Sequence, residues 1–226
     1  MTVSQKKGFV IRIGRKEREK RQRRESIIDA AEEIILERGF DAATMDEIAE
    51  QSEVSKGTLY LYFENKTALY LAICERGSQK LNDRFGEVLT TDRSGLEMIR
   101  ALGEVYLTFV REMPLYFQAF SHYEAIQDEE FLKENPIAKQ CKEHAKQSLT
   151  YIVRCLQVGM QDGSIDDSYD PKELALLVWS CSRGVVQMTQ LCNRKHDYAL
   201  IDDMDVDLNA LIPLLLKVLE KGMKGE

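Results

Sequence analysis

From residue 25 to residue 38 the apolar side chains Ile27, Ile28, Ala30, Ala31, Ile34 and Ile35 recur at the spacing of one helical face. Gly39 follows where a helix ends. Past Phe40, Thr44 and Glu47 stand three apart. At that spacing a threonine hydroxyl accepts an early amide proton while the glutamate reaches back. They open a short helix with Ile48 and Ala49 inward, which stops near Ser52. Val54 fills a tight turn, and Ser55 caps a second short helix over residues 56–63, with Leu59 and Phe63 as a buried i, i+4 pair. Asn65 caps a longer helix over 66–88. After a loop at 90–94, helical patterns cover about 95–112, 115–133, 137–161, 171–194 and 206–222. Pro114, Pro136, Gly163 and Pro171 punctuate them. Pro213 is expected to kink the last helix, because an interior proline removes a backbone hydrogen bond. Period-two alternation between turn pairs is missing, as is any internal repeat, so the expected fold is all-α.

The two short helices and their turn, residues 44–63, form a helix-turn-helix, a unit whose second helix fits a DNA major groove. Besides Leu59 and Phe63, that helix carries Lys56, Gly57, Thr58, Tyr60, Leu61 and Tyr62. Gly57 permits close backbone approach, Lys56 and Thr58 reach base edges, and tyrosine hydroxyls bond phosphates. A net charge of −7 points away from nucleic acid until its distribution is considered. Residues 1–24 hold ten Lys/Arg against Glu17 and Glu19, whereas residues 25–76 hold four basic and twelve acidic groups. A basic arm on an acidic body reads as an interaction tail that follows phosphates or enters a narrow minor groove. A merely solvated terminus has the same composition.

The stretch ESIIDAAEEIILERGFDAATMDEIAEQSEVSKGTLYLYFENKTALYLAI, residues 25–73, resembles the N-terminal domain of the TetR family of bacterial transcriptional repressors. The resemblance rests on the AA pair of the first helix, GFDAATMDEIA, VSKGTLYLYF and the NK that precedes Leu69, all in order and spacing. It covers residues 21–80. It implies a three-helix DNA-binding domain followed by a larger helical bundle: a basic flexible arm at 1–20, the DNA-binding domain at 21–81, and a ligand-binding and dimerisation domain at 82–226. By position it implies Lys56, Gly57 and Thr58 at bases, with Thr44, Ser55, Tyr60, Tyr62 and Lys66 at phosphates. Position 61 departs from the family, with leucine where an aromatic residue is common. The contact that the resemblance implies at that position is therefore not carried over to Leu61.

In the longer part, the aromatic residues Tyr106, Phe109, Phe117, Phe120, Tyr123 and Trp179, with His122, are candidates for an apolar or amphipathic ligand pocket. Plain core is the competing reading. Leu174, Leu177, Val178, Cys181, Val185 and Met188 form one helical stripe, and Leu208, Leu211, Ile212, Leu215 and Leu219 another. Paired across two copies they would make the four-helix homodimer interface that the resemblance implies. Residues 202–207 imitate a calcium loop but lack its glycine and closing glutamate, so no metal is expected. No nucleophile elbow, HExxH, P-loop or dinucleotide glycine pattern occurs, so no catalytic residue, cofactor or enzyme activity is expected. The five cysteines read as reduced, packed thiols, with a thiol switch as the alternative.

With 44% apolar and 31% charged residues the chain can bury a core. No apolar run reaches the ~18 residues of a membrane span, and the basic start lacks a secretory apolar stretch, so a cytoplasmic protein without membrane contact is expected. The function that follows is a ligand-responsive transcriptional regulator. It would be a repressor released from a palindromic double-stranded DNA operator by a small apolar or amphipathic effector. A helical adaptor that uses the helix-turn-helix to bind protein is the alternative.

Overall fold

The computed structural model describes residues 14–194 and 210–224. Among them are ten α-helices and no strand, in two compact units divided after Tyr70. The expected boundary at 81/82 lies further along α4, a helix (Lys66–Val88) that belongs partly to each unit.

The smaller unit holds α1 (Arg15–Arg38), α2 (Met45–Gln51), α3 (Lys56–Tyr62) and the start of α4. Ile27, Ile28 and Ala31 from α1 meet Ile48, Leu59, Phe63 and Leu69 in a fully buried core. Each large side chain there contributes roughly 1.5–3 kcal/mol. Helix α1 begins twelve residues before Ile27, the first residue of its apolar face. Residues 15–20, expected in a flexible arm, are helical, because arginine, lysine and glutamate have high helix propensity without any inward face. An Arg15–Glu19 ion pair at 2.7 Å supports that first turn. Residues 1–13 of the expected arm lie outside the described residues.

The larger unit adds α5 (Gly95–Glu112), α6 (Pro114–Ala125), α7 (Glu129–Glu134), α8 (Pro136–Asp162), α9 (Pro171–Arg194) and α10 (Leu211–Met223). Helix α5 packs on α8, α8 on α9, α9 on α10 and α10 back on α5. The buried amide of Asn82 on α4 donates to the His144 carbonyl at 3.0 Å and accepts from the Ser148 hydroxyl at 2.6 Å. The single helix expected over 115–133 is two. Backbone at Ile126 is extended, and Asp128 caps a new helix by accepting from the Phe131 amide, a local bond that competes with continuation. Pro213 does not sit in a helix interior. It is the third residue of α10, where its missing N–H would have had no intrahelical partner.

Asp162 ties the end of α8 to the start of α5, with one oxygen accepting from the Gly95 amide at 2.8 Å and the other from the Ser164 amide at 2.9 Å. The Ser164 hydroxyl, and then these amides, hold its pKa below the ordinary 3.8. A depressed carboxyl stabilises the fold above its unfolded value and loses that contribution as pH falls through the lower folded value. Thermal melts of wild type and Asp162→Asn should therefore differ at pH 6 and converge toward pH 3. A constant offset would mean the charge of Asp162 is not what matters.

Candidate nucleic-acid interface and apolar cavity

Thr44 caps α2: its hydroxyl oxygen accepts from the Glu47 amide at 3.2 Å, and Glu47 accepts from the Thr44 amide at 3.1 Å. The Thr44 hydroxyl in turn donates to the Glu47 carboxylate at 2.7 Å, and that bond, followed by the one from the Thr44 amide, lowers the pKa of Glu47. Arg38 at the end of α1 donates to the same carboxylate at 2.6 Å. The turn to α3 places Glu53 at φ 54°, and the Val54 amide returns to the Ala49 carbonyl at 3.0 Å. Ser55 then caps α3 by accepting from the Thr58 amide at 3.1 Å, and the two hydroxyls lie 2.8 Å apart. The caps orient α3 so that Leu59 faces the core while Lys56, Gly57, Tyr60 and Leu61 are exposed and Thr58 and Tyr62 half-exposed. Lys56 pairs with Asp46 of α2, both on the surface. The outer part of α1 runs as an exposed cationic ridge, with seven Lys/Arg against two Glu over residues 15–24.

Lys66 occupies a different place from the phosphate-facing one expected of it. Its ammonium donates to the carbonyls of Phe40, Asp41 and Ala43 at 2.6, 3.1 and 2.9 Å and lies 4.5 Å from the Phe40 ring centre. All three ammonium donors are thus taken up by the link between α1 and α2, and the Phe40 ring itself meets that of Tyr70 at a tilt, with centres 4.2 Å apart. The carbonyl cluster is also why a cation is tolerated at the start of α4.

In the larger unit a cavity of about 280 Å³ opens between α4, α6, α8 and α9. Of the predicted pocket residues, Phe120, Tyr123 and Trp179 line it. Tyr106 lines a separate cavity of about 40 Å³, shared with Trp179. Phe109 and Phe117 line neither. They are core, Phe109 being stacked against Tyr116 and Phe120 at 5.9 and 6.2 Å. His122 is half-buried and lines neither cavity. The residues missed include Cys74, Ser78, Leu81, Cys141, Lys142, Lys146 and Leu176, along with a Glu124–Arg183 ion pair. Cys74 is held well above the usual thiol range by its hydrogen bond with Cys141 and by burial, and burial pushes Cys155 up to about 12. Among the described residues no cluster of three or more His, Cys, Asp or Glu could hold a metal ion.

The stripe on α9 divides. Leu174 and Val178 are buried in their own unit, Cys181 and Val185 are half-buried, and Leu177 and Met188 are exposed. On α10, Leu211, Leu215 and Leu219 are half-buried. Leu208 and the Ile212 side chain lie outside the described residues. The exposed apolar set also includes Leu176, Leu214 and Val218, which the stripes omitted. No helix among the described residues is long and apolar enough to cross a membrane.

A capped helix-turn-helix beside a cationic helix, with a separate helical unit that contains a cavity, defines the class: a helix-turn-helix protein with a second, ligand-sized compartment. The family model for bacterial regulatory proteins, tetR family, matches residues 27–73 of this chain. It is 32% identical over 121 residues to the HTH-type transcriptional activator FasR of Mycolicibacterium smegmatis, a match that covers 54% of this chain and spans 52% of that protein's length. It is 23% identical over 193 residues to the fatty acid metabolism regulator protein of Bacillus subtilis, covering 84% of this chain and 95% of the relative. Its fold is similar to that of the transcriptional regulator FadR from Bacillus subtilis, solved in complex with stearoyl-CoA. There the TM-score is 0.67 at 22% identity, over 88% of this chain and 98% of that one.

Proposed function

We propose that this protein is a ligand-responsive, DNA-binding transcriptional regulator, a homodimeric repressor that leaves an inverted-repeat operator when an acyl thioester enters its larger unit. One observation carries the DNA-binding reading. Helix α3 is fastened by its back face and caps, and it turns Lys56, Gly57 and Tyr60 outward beside the cationic ridge of α1. Lys56, Gly57 and Thr58 would meet bases, with Thr44, Ser55, Tyr60 and Tyr62 along phosphates.

The effector class is supported by the stearoyl-CoA of the FadR structure and by a relative named for fatty acid metabolism. Leu81, Phe120, Leu176 and Trp179 suit an acyl chain, while the exposed Lys142 and Lys146 suit a phosphate-bearing head group. Helix α4, common to both units, is the element through which an effector would act. The apolar side chains exposed on α9 and α10 of the single chain form a face that a second copy would cover.

The test is fluorescence anisotropy on a duplex selected from a randomised pool, with stearoyl-CoA as the probe ligand and light scattering of the complex. Binding should weaken with salt at a slope of about −0.9 per phosphate neutralised. It should weaken at least tenfold with stearoyl-CoA, a coupling of about 1.4 kcal/mol that the DNA must return to the ligand. Phe120→Ala and Tyr123→Ala should blunt the release, and the mass should correspond to two chains per duplex. Salt-independent retention would exclude DNA binding. Release unaffected by the acyl thioester or by either substitution would place the effector elsewhere.

A further inference from the structure

Leu61 is 87% exposed, the highest value among the large apolar side chains described. A single exposed leucine is ordinary on a folded domain, and what sets this one apart is its place on α3. At 3.6 residues per turn, Leu61 lies about 160° around α3 from Leu59, which is fully buried. It therefore stands at the outward pole of the helix, one turn beyond Gly57. Nothing lies within 4 Å of where a Gly57 Cβ would be, so the surface toward which Leu61 leans is open.

Around this pole the side chains are polar: Lys56, Thr58, Tyr60 and Tyr62. If α3 enters a major groove with Leu59 at its back, Leu61 is the side chain that goes deepest. An isobutyl group bonds neither phosphate oxygens nor base-edge donors and acceptors. The apolar feature of the major groove is the C5-methyl group of thymine. We infer that Leu61 is a specificity-determining residue that packs on a thymine methyl in each operator half-site. The inference rests on the reading of α3 as the DNA-reading helix, and it adds to the operator a required base that no hydrogen-bonding side chain specifies.

Uracil differs from thymine only by that methyl group, so it removes the contact and leaves every hydrogen-bonding edge in place. The full chain is used to select duplexes from a randomised pool, and each dT of the selected duplex is then replaced in turn by dU. One thymine per half-site should prove sensitive, with affinity falling about fourfold when its methyl is lost. Leu61→Ala should bind the dT duplex more weakly and show no further loss with dU at that position. The side chain is almost wholly exposed, so the variant should melt like wild type, and Leu61→Met should retain sensitivity. If wild type tolerates dU at every position, or Leu61→Ala suffers the same fourfold loss, the assignment of Leu61 is overturned while DNA reading stands. A pool from which nothing is enriched overturns DNA reading, and the assignment with it.

Discussion

Gly95→Ala is expected to destabilise the larger unit by about 3 kcal/mol or more. A Cβ at position 95 would stand 2.0 Å from the backbone nitrogen of Gly159, 2.3 Å from its Cα and 2.5 Å from the Cys155 carbonyl oxygen. These are backbone atoms of α8, so no rotamer change relieves the overlap, and the start of α5 must move away from α8. Overpacking of a filled core costs about 1–3 kcal/mol when side chains can give, and backbone against backbone lies at or beyond the upper end. The higher helix propensity of alanine recovers less than about 1 kcal/mol, since Gly95 is the first residue of its helix. For a chain of this size the melting temperature should fall by roughly 6–12 °C. Gly184→Ala, in the interior of α9 with nothing within 4 Å of the added atom, is the control and should melt at or a few degrees above wild type. Equal melting of the two variants would mean that α5 and α8 are not in backbone contact.

Lys66→Met should destabilise the smaller unit by about 3 kcal/mol, because it leaves the carbonyls of Phe40, Asp41 and Ala43 without their charged donor. The cation on the Phe40 ring is lost as well, while the methionine stem keeps the apolar packing. Amide exchange should accelerate in α2, whose approach from α1 the lysine fastens. The salt slope of DNA binding is the discriminating measurement. A lysine that neutralises a phosphate removes about one unit from that slope when replaced, whereas a lysine engaged with its own backbone leaves the slope unchanged and lowers stability. A slope reduced by one with unchanged exchange would return Lys66 to the phosphate.

Lys66 also marks where local reading ended. The capping residues Thr44 and Ser55 and the pair Leu59 and Phe63 interact within four positions of one another, so their spacing alone predicts what the structure contains. The partners of Lys66 are 23 to 26 positions away, and no periodicity connects them. The start of α1 escaped for the opposite reason. Its first ten residues have no buried face, so a pattern search registers nothing although arginine, lysine and glutamate favour helix.

In the larger unit, helical periodicity identified inward-facing residues without distinguishing a filled core from a void. Phe109 and Phe117 share the composition and spacing of Phe120 and Tyr123, yet they are packed while the latter line the cavity. Which inward side chains meet empty space depends on how four helices approach, and that depends on such contacts as Asn82 of α4 against His144 and Ser148 of α8. The chain by itself thus determined the helices, the helix-turn-helix and the outward side chains of α3, because each arises from interactions within a turn or two. The tertiary structure decided the cavity wall, the placement of Lys66 and the division of the α9 stripe into core and surface, because those depend on which distant segments come into contact.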